Sequence, residues 1–433
     1  MTVEQTAPGT DAGRRSWALP AEGRAPDDVL AALRAFQGQN PDLLSTIMSI
    51  GINFGGEELE SIRNQAHAMF SHDNNMVVDM RPGCKRIEDE LMAICASLLC
   101  GGSPDVVTTI SSGGTESIFN GVHAAKVRAR RLRGDGFRPK WIAGWCAHAA
   151  ISKACHYLDI ELVRVPDKDY RADAGAMAAQ IDERTIGLYA SAPNWPFGRF
   201  DDIPELGRLA LENDLWLHVD ACIGGFVAPF AERLGRPVPP WDFRVPGVCS
   251  ISADIHKWAY GMKPLSVVGW RDASLLEDHY VVVEDWPEMA YVTPGFGGSR
   301  TGGTTAAAWA VMNLLGESGY LELTSRMLEV RDRLVEGLRA IDGIRLPIPE
   351  PELINVVYDG EDVTTNQLLN GMYQRGWLHF SVLDPPLVQF ILDPCAAEVL
   401  DRYLADLADV VRLARAGQIE DVDPLLSYGS AGT

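Results

Sequence analysis

The sequence lacks the cysteine and histidine patterns that mark most metal and redox sites. It has eight cysteines, but no Cys-x-x-Cys pair and no His-Glu-x-x-His segment. A zinc site or a redox-active pair is therefore not expected. Cys95, Cys100 and Cys249 stand in apolar runs, where a free cysteine behaves as a small core residue. This use of cysteine favours a reducing cytoplasm.

Long apolar runs and an excess of positive charge are also missing. Residues 1–25 contain no apolar segment of the signal-peptide kind. No apolar run reaches the roughly 18 residues that span a bilayer. The formal net charge of −21 argues against a broad surface for nucleic acids or anionic membranes. We therefore expect a protein without nucleic-acid or membrane partners, although a local basic pocket for a small substrate remains compatible with this charge.

Strands that alternate with helices dominate the middle of the chain. Seven short apolar or β-branched runs predict strands over residues 106–110, 141–144, 161–165, 186–190, 216–219, 248–252 and 266–270. This alternation indicates an α/β fold with a largely parallel sheet that is buried on both faces. Such sheets bind ligands at the carboxyl ends of their strands.

Four segments are expected along the chain. A disordered arm covers 1–25, a helical segment covers 26–100, a large domain with the sheet covers 101–305, and a smaller α+β domain covers 306–433. The helical pattern predicts helices over 27–36, 57–70, 87–99, 304–340 and 396–415, and the small domain has strand patterns near 353–358 and 387–392.

A Gly-rich segment, Ser112-Gly113-Gly114-Thr115-Glu116-Ser117, stands between the first predicted strand and a helix predicted over 115–133. Glycines let the backbone approach an anion, and a helix start offers free N–H groups and the positive end of the helix dipole. The segment fits a phosphate site. An N-capped helix after a tight turn would show the same pattern.

Asp220 lies just beyond the apolar run 215–217, in His218-Val219-Asp220-Ala221-Cys222. A carboxylate at the end of a buried strand needs a partner. The protonated ring nitrogen of pyridoxal 5'-phosphate (PLP) is one such partner, because a carboxylate keeps that nitrogen protonated and makes the ring an electron sink. The alternative is a helix cap for the residues that follow.

Lys257 gives the sharpest signal. It follows His256 at the end of Ser250-Ile251-Ser252-Ala253-Asp254-Ile255-His256-Lys257, an arrangement typical of a lysine that forms a Schiff base with PLP. Burial depresses the pKa of a lysine and makes its amine nucleophilic. A lone lysine is usually a surface charge, but its order with the other two segments favours a cofactor lysine.

His148 lies in Ala147-His148-Ala149-Ala150, after the strand predicted over 141–144. A histidine at this place could stack on a cofactor ring. Taken alone, it would be explained equally by a helix-capping or core histidine.

Together these segments resemble the fold-type-I PLP enzymes of the group II decarboxylase type, and within them the sphingosine-1-phosphate lyases. The resemblance runs from about residue 45 to residue 325 and weakly beyond. It also includes Pro82-Gly83, Asp242-Phe243-Arg244-Val245 and Gly298-Ser299-Arg300. It implies the aspartate aminotransferase fold, with a mainly parallel seven-stranded sheet and a small C-terminal α+β domain. It also implies a homodimer with a shared active site.

The resemblance assigns roles to individual residues. Lys257 would carry the Schiff base, Asp220 would pair with the ring nitrogen, and His148 would stack on the ring with Cys222 behind it. Asn194 would lie near the ring hydroxyl, and Lys263 would lie near a substrate phosphate. The cofactor phosphate would be held by Gly114, Thr115 and His256, with Gly298 and Ser299 from the partner subunit.

The departures from the lyases concern the substrate end. Those enzymes have a tyrosine where this chain has Asn53 and a histidine where it has Val77, while Arg81 replaces an aromatic residue. An arginine can hold a carboxylate through two hydrogen bonds, although a plain surface arginine is the alternative. These changes predict that long-chain sphingoid phosphates are poor substrates and that a small amino acid is a good one.

The leading hypothesis is a PLP-dependent carbon–carbon lyase that acts on an amino acid or β-hydroxy amine. The substrate amine would displace Lys257 and form an external aldimine, and retro-aldol cleavage would follow. Amino-acid decarboxylation is the close alternative, and aminotransfer is a third. An inactive PLP-binding scaffold is the fourth, and the presence of Lys257, Asp220 and His148 argues against it.

Overall fold

The computed structural model describes residues 21–40, 54–293 and 295–422. The chain divides into two compact units, Met1–Leu43 and Leu44–Thr433. The predicted boundaries at residues 100 and 305 fall inside the second unit and stay predictions. Residues 1–20 of the predicted arm lie outside the described residues.

The α-helices of the described residues match the predicted helical segments closely. They are α1 Pro26–Gln37, α2 Glu57–Met69, α3 Pro82–Leu99, α4 Gly114–Arg133, α5 Ala150–Tyr157, α6 Ala174–Ala178, α7 Ile203–Glu212, α8 Ala228–Arg233, α9 Ala273–Glu277, α10 Gly302–Ala340, α11 Thr365–Tyr373 and α12 Leu400–Arg415. Two 3-10 helices cover Asn75–Met80 and Pro394–Glu398. None of these helices is both long and apolar enough to cross a membrane.

The strands within the described residues form three sheets. They are β1 Val107–Ser111, β2 Lys140–Gly144, β3 Glu161–Val165, β4 Asp167–Lys168, β5 Arg171–Ala172, β6 Thr185–Ser191, β7 Trp216–Asp220, β8 Val248–Ala253, β9 Ser266–Trp270, β10 Ile344–Arg345, β11 Asn355–Gly360, β12 Phe380–Leu383 and β13 Pro386–Ile391.

Helix α1 belongs to the first unit. Pro26 stands in its first turn with Asp27 and Asp28, and Arg34 stands in its last turn. Proline suits the first helical position because its missing N–H would have no partner there. Acidic residues at the start and a basic residue at the end oppose the helix dipole. None of its residues is buried.

The large sheet has seven strands in the order β1-β9-β8-β7-β6-β2-β3. Its strand pairs are parallel except where β9 pairs with β1 and β8. Leu188 of β6 packs in one core with Leu206 of α7, while Tyr189 packs in another with Val122 of α4. Because successive strand residues point to opposite faces, both faces of this sheet are covered. The predicted seven-stranded, mainly parallel sheet is confirmed.

The C-terminal part of the chain forms a second, antiparallel sheet in the order β10-β11-β13-β12. Helix α11 beside it begins with a capping box in which Thr364 and Gln367 bond each other's backbone N–H groups. The sequence predicted β11 and β13. It did not predict the short β10 and β12, nor the break in α10 at Gly316, where φ is 55°.

Removing the side chain of Leu188 should destabilise the large sheet. Leu188 is fully buried, and Leu→Ala changes at such places cost about 2–5 kcal/mol. The midpoint of urea unfolding, followed by tryptophan fluorescence, should therefore fall in Leu188→Ala. Leu211→Ala is the control, because Leu211 is 60% exposed. Equal midpoints for the two variants would contradict the assigned core.

Candidate active site

A cavity of about 320 Å³ lies at the carboxyl ends of β6, β7 and β8. Parallel sheets place ligands at this edge. The lining residues include most of those predicted to hold the cofactor, and they are Ser112, Gly113, Gly114, Thr115, Glu116, Ile118, His148, Pro193, Trp195, Asp220, Cys222, Ile223, Asp254, His256 and Lys257. The fold therefore brings together segments that are far apart in the sequence.

Lys257 stands in a turn just after β8. Its Nζ atom lies 2.9 Å from Oδ2 of Asp254 and 5.7 Å from the centre of the Trp195 ring. Burial disfavours the charged amine, but Asp254, Cys222 and Asp220 outweigh it and raise the pKa of Lys257. The expectation that burial depresses this pKa is wrong, because the neighbouring carboxylates stabilise the ammonium form.

Asp220 is held by three neutral hydrogen-bond donors. Its Oδ1 atom accepts from the N–H of Cys222 at 3.0 Å and from Oγ of Ser252 at 3.3 Å. Its Oδ2 atom accepts from the hydroxyl of Tyr189 on the neighbouring strand. Burial would raise the pKa of Asp220, but His148 and these donors lower it. Asp220 is thus a fixed, buried carboxylate that lines the cavity.

His148 lines the same cavity from the loop between β2 and α5. The N–H of Ala150 donates to its Nδ1 atom at 3.1 Å, so the proton of the neutral ring is on Nε2. Burial lowers the pKa of His148. The side chain of His148 therefore accepts a hydrogen bond from the first residue of α5. Its neutral ring also lines the cavity.

The Gly-rich segment forms the N-terminus of α4 and faces the cavity. A Cβ atom on Gly114 would lie 2.6 Å from Sγ of Cys222 and 3.0 Å from Oδ1 of Asp254, so only glycine fits there. Glu116 accepts a hydrogen bond from the N–H of Ser112 at 2.7 Å and another from the N–H of Phe296. Glu116 thus fixes the segment and ties it to the loop around 296.

His256 and Asn194 differ in their relation to the cavity. His256 lines it, and its Nδ1 atom lies 2.8 Å from the carbonyl oxygen of Leu265. The amide of Asn194 donates to the carbonyl of Tyr170 and accepts from the N–H of Phe197. Asn194 thus fixes the loop that follows β6, and its predicted contact with the ring hydroxyl stays a prediction.

Of the predicted substrate residues, Arg81 and Lys263 are not among the residues that line this cavity. Asn53 is outside the described residues. Arg81 is exposed and pairs with Asp73, and Val77 is exposed. Lys263 reaches the surface, and partial burial, Lys257 and Arg63 lower its pKa. Their predicted roles stay predictions.

Gly298 and Ser299 lie in the loop that precedes α10. Ser299 lines a second cavity of about 590 Å³, which shares Ser112, Thr115 and Glu116 with the first cavity. The amide of Asn74 donates to Oγ of Ser299 at 3.0 Å. This loop therefore stands next to the phosphate segment of its own chain, and its predicted contact with a partner's cofactor stays a prediction.

Sequence reasoning assigned no role to Asp254, Trp195 or Tyr189, although all three contact Lys257 or Asp220. Asp254 stood inside the quoted segment and carried a charge, which was the available signal. Tyr189 gave no comparable signal, because its contact depends on the register of β6 against β7. Trp195 gave none either, because its contact with Lys257 joins the loop after β6 to the turn after β8.

The donor set of the cavity fits PLP. A lysine amine can bond a carbonyl carbon, a buried carboxylate can pair with a protonated ring nitrogen, and a helix N-terminus can bind a phosphate. Lys257, Asp220 and Gly114-Thr115 supply these groups around one cavity. Asp220 accepts its hydrogen bonds from neutral groups, which leaves its charge available to a cationic ring. The fold and the site thus define a PLP-dependent enzyme.

Comparison with known proteins agrees with this class. Residues 57–360 match the pyridoxal-dependent decarboxylase conserved domain. A sphingosine-1-phosphate lyase of Arabidopsis thaliana is 38% identical over 393 residues, which are 88% of this chain and 71% of the relative. A probable L-tyrosine/L-aspartate decarboxylase of Methanothermobacter thermautotrophicus is 31% identical over 76% of this chain and 88% of the relative.

Among solved structures, the sphingosine-1-phosphate lyase of Burkholderia pseudomallei K96243 superimposes with a TM-score of 0.88 at 33% sequence identity, over 93% of this chain and 94% of that one. The chain belongs to the pyridoxal-dependent decarboxylase family. It is a PLP-dependent lyase.

Replacing Lys257 by alanine should abolish covalent attachment of PLP. Non-covalent binding should persist, because Asp220 and the start of α4 are unchanged. Borohydride reduction followed by mass spectrometry should show a cofactor adduct in the wild type and none in Lys257→Ala, and turnover should fall by at least about 100-fold. Lys153→Ala, a change outside this cavity, should keep the adduct. Full turnover by Lys257→Ala would refute the role of this lysine.

Proposed function

We propose that this PLP-dependent lyase breaks the Cα–Cβ bond of a β-hydroxy amine and releases an aldehyde. The observation that carries the proposal is the similarity to sphingosine-1-phosphate lyases over most of the chain. The cavity supports it. Its basic lining residues are Lys257, His148 and His256, and no arginine is among its lining residues in the described parts. A substrate carboxylate would find no guanidinium there.

Each residue would have one task in this reaction. Bound PLP supplies an electron sink for the bond that breaks. Asp220 keeps the ring nitrogen protonated, and His148 packs against the ring and limits its tilt. Lys257 holds the cofactor between turnovers and carries a proton on Nζ when the substrate amine has replaced it. Gly114 and Thr115 at the start of α4 bind the phosphate.

The substrate is proposed to be small. Asn53 and Val77 replace two polar residues of the lyases, and each charged hydrogen bond lost at a phosphate removes about 1.5–3 kcal/mol. Lys263 weighs in the other direction, since it lies near Lys257 and Arg63 and could serve a phosphate. Arg81 is available as a carboxylate anchor only if its pairing with Asp73 is exchanged.

Amino-acid decarboxylation is the second candidate. The relative from Methanothermobacter thermautotrophicus, a probable L-tyrosine/L-aspartate decarboxylase, favours it because this chain covers 88% of that protein. The same Lys257, Asp220 and His148 would serve, since the two reactions differ in which bond at Cα stands perpendicular to the cofactor ring. Decarboxylation releases carbon dioxide and Cα–Cβ cleavage releases an aldehyde, so one assay that detects both products distinguishes the two reactions.

A homodimer with a shared active site is part of the proposal. Large apolar side chains are exposed around the loop that precedes α10, and Met289 and Phe296 are 85% and 78% exposed. Exposed apolar patches on soluble proteins usually mark interaction surfaces. A cytoplasmic location is also proposed, supported by the eight free cysteines.

Product analysis should separate the two candidate reactions. Purified protein with PLP should release an aldehyde from small β-hydroxy amines or β-hydroxy amino acids, and little carbon dioxide from amino acids. A phosphorylated long-chain sphingoid base should show a lower kcat/KM than these small substrates. Arg81→Ala should lower kcat/KM for carboxylated substrates, and Arg86→Ala, an exposed change in the helix α3 that follows Arg81, should not. Carbon dioxide without aldehyde would establish the decarboxylase instead.

Mixing two inactive variants should restore activity if the site is shared. Lys257→Ala removes the cofactor lysine, and Ser299→Trp places a bulky ring in the loop that precedes α10. In a heterodimer both lesions would fall in one of the two shared sites, so the other site would be intact. Subunit exchange is verified by native mass spectrometry of the mixture. Exchange without recovered turnover would remove the shared-site proposal.

A further inference from the structure

The cavity contains a buried carboxylate to which the proposed reaction assigns no task. The side chain of Asp254 is 2% exposed, and its Oδ2 atom lies 2.9 Å from Nζ of Lys257. Oγ of Ser266 donates a hydrogen bond to its Oδ1 atom, and Nε2 of His256 lies 3.6 Å from Oδ2. Asp254 therefore contacts the atom of Lys257 that bonds the cofactor.

The fold holds this carboxylate in place. Ser266 begins β9, which pairs with β8 so that Ala253 lies opposite Val267. The carboxylate is thus anchored to the neighbouring strand just where β8 ends. On its other side the backbone of Gly114 leaves room, since a Cβ there would stand 3.0 and 3.1 Å from the two carboxylate oxygens. Asp254 cannot swing away without breaking a buried hydrogen bond.

Further charged and titratable groups among the described residues also influence the charge of Lys257. They oppose one another, with Asp220 and Cys222 favouring the ammonium form and with His148, His256 and Lys263 disfavouring it. Burial also disfavours the charge. The direct ion pair with Asp254 therefore decides the protonation of Lys257.

We propose that Asp254 keeps Lys257 protonated whenever this lysine is not bonded to the cofactor, so that Lys257 re-enters the reaction as a proton donor and not as a base. The proposal rests on the proposed function only in taking Lys257 as the cofactor lysine. It applies equally to cleavage of Cα–Cβ and to loss of a carboxylate, because both leave a carbanion that must gain a proton. Asp254 acts through Lys257 and is a positioning residue.

This role slows the loading of the cofactor. When the lysine amine condenses with an aldehyde, the ammonium first loses a proton to solvent, the amine nitrogen bonds the carbonyl carbon, and water leaves. Only the neutral amine reacts. While the pH is below the pKa of Lys257, the loading rate therefore rises tenfold with each unit by which the pH increases. An ion pair that raises this pKa therefore displaces the loading profile to higher pH.

The test measures loading of cofactor-free protein. The first-order rate of covalent attachment at saturating PLP is followed by absorbance as a function of pH for wild type and Asp254→Asn. Opposite charges at this distance move a pKa by about 1–3 units, so the Asp254→Asn profile should move down by that amount, with loading about 10–1000 times faster at a given pH. An unmoved profile would overturn the proposal.

Asp278→Asn is the matched control. Asp278 is also a buried, ion-paired aspartate, but its partner is Arg131 and it does not line the cavity. Its profile should match the wild type. Equal shifts in both variants would point to a general loss of structure and overturn the specific role of Asp254. Asp254→Glu keeps the charge and should restore most of the wild-type pH dependence.

A second measurement needs no variant and decides the case if Asp254→Asn does not fold. Lysines of the cofactor-free wild type are labelled competitively with a trace amine reagent at increasing pH, and peptides are quantified by mass spectrometry. Lys263 has a lowered pKa and is the internal control, so its reactivity should level off below pH 10.5. The reactivity of Lys257 should still be rising there. A plateau for Lys257 at or below that of Lys263 would refute the proposal without touching the lyase function.

Discussion

Two buried carboxylates at the ends of neighbouring strands set the charge balance of this site. Asp220 closes β7 and Asp254 follows β8, and burying a carboxylate without compensation is costly. Asp254 is compensated by the ammonium of Lys257. The hydrogen bonds to Asp220 come from neutral donors, which satisfy its oxygens but leave its charge, and His148 also lowers its pKa. The chain thus provides one contacting cation for two carboxylates, and the protonated ring of PLP would provide the second.

Close packing places Asp220 and Asp254 next to α4, the helix whose start would bind the phosphate of PLP. A Cβ on Gly121 would lie 2.5 Å from Nδ1 of His218, so α4 approaches β7 at a distance that only glycine permits. Gly114 allows the same closeness about two turns earlier, against Cys222 and Asp254. The positive end of α4 is therefore fixed above the strand ends, with the ring-nitrogen partner and the lysine beneath it. The packing of α4 against the strand ends would therefore position both the phosphate and the reactive carbonyl group of PLP.

The sequence predicts the large sheet because its central strands are almost entirely buried and appear as short runs of mostly apolar residues. It predicts Lys257, Asp220, His148 and the start of α4 for a related reason. Strand ends in a parallel sheet meet at one edge, so polar residues that follow such runs must converge. The two-residue β10 has too few side chains to show a period. The hydrogen bond from Tyr189 to Asp220 depends on strand register, which local patterns do not contain.

The error over the pKa of Lys257 has a definite physical cause. The sequence prediction weighed only burial, because the lysine follows an apolar run, although the charge of Asp254 was visible in the same segment. The opposing effect comes from Asp254, three residues earlier, and its strength depends on a distance that only the turn after β8 determines. Electrostatic predictions from sequence therefore fail first where a turn decides which charges touch.

The cofactor side and the substrate side of the site are built differently. The groups that fit PLP stand on strand ends and on α4, inside the second unit of one chain. Arg81, proposed for the substrate, and Val77, which stands where the lyases have a histidine, are exposed. Both lie on segments close to the loop that precedes α10, where Met76 contacts Ser299. That loop carries the exposed Met289 and Phe296. In the proposed dimer this apolar surface would be covered by a second copy, and residues of the two copies would then meet at the cavity. The fold of one chain would then determine the cofactor chemistry, whereas contact between the two copies would determine the choice of substrate. For this reason the sequence indicates the cofactor residues more clearly than the substrate residues.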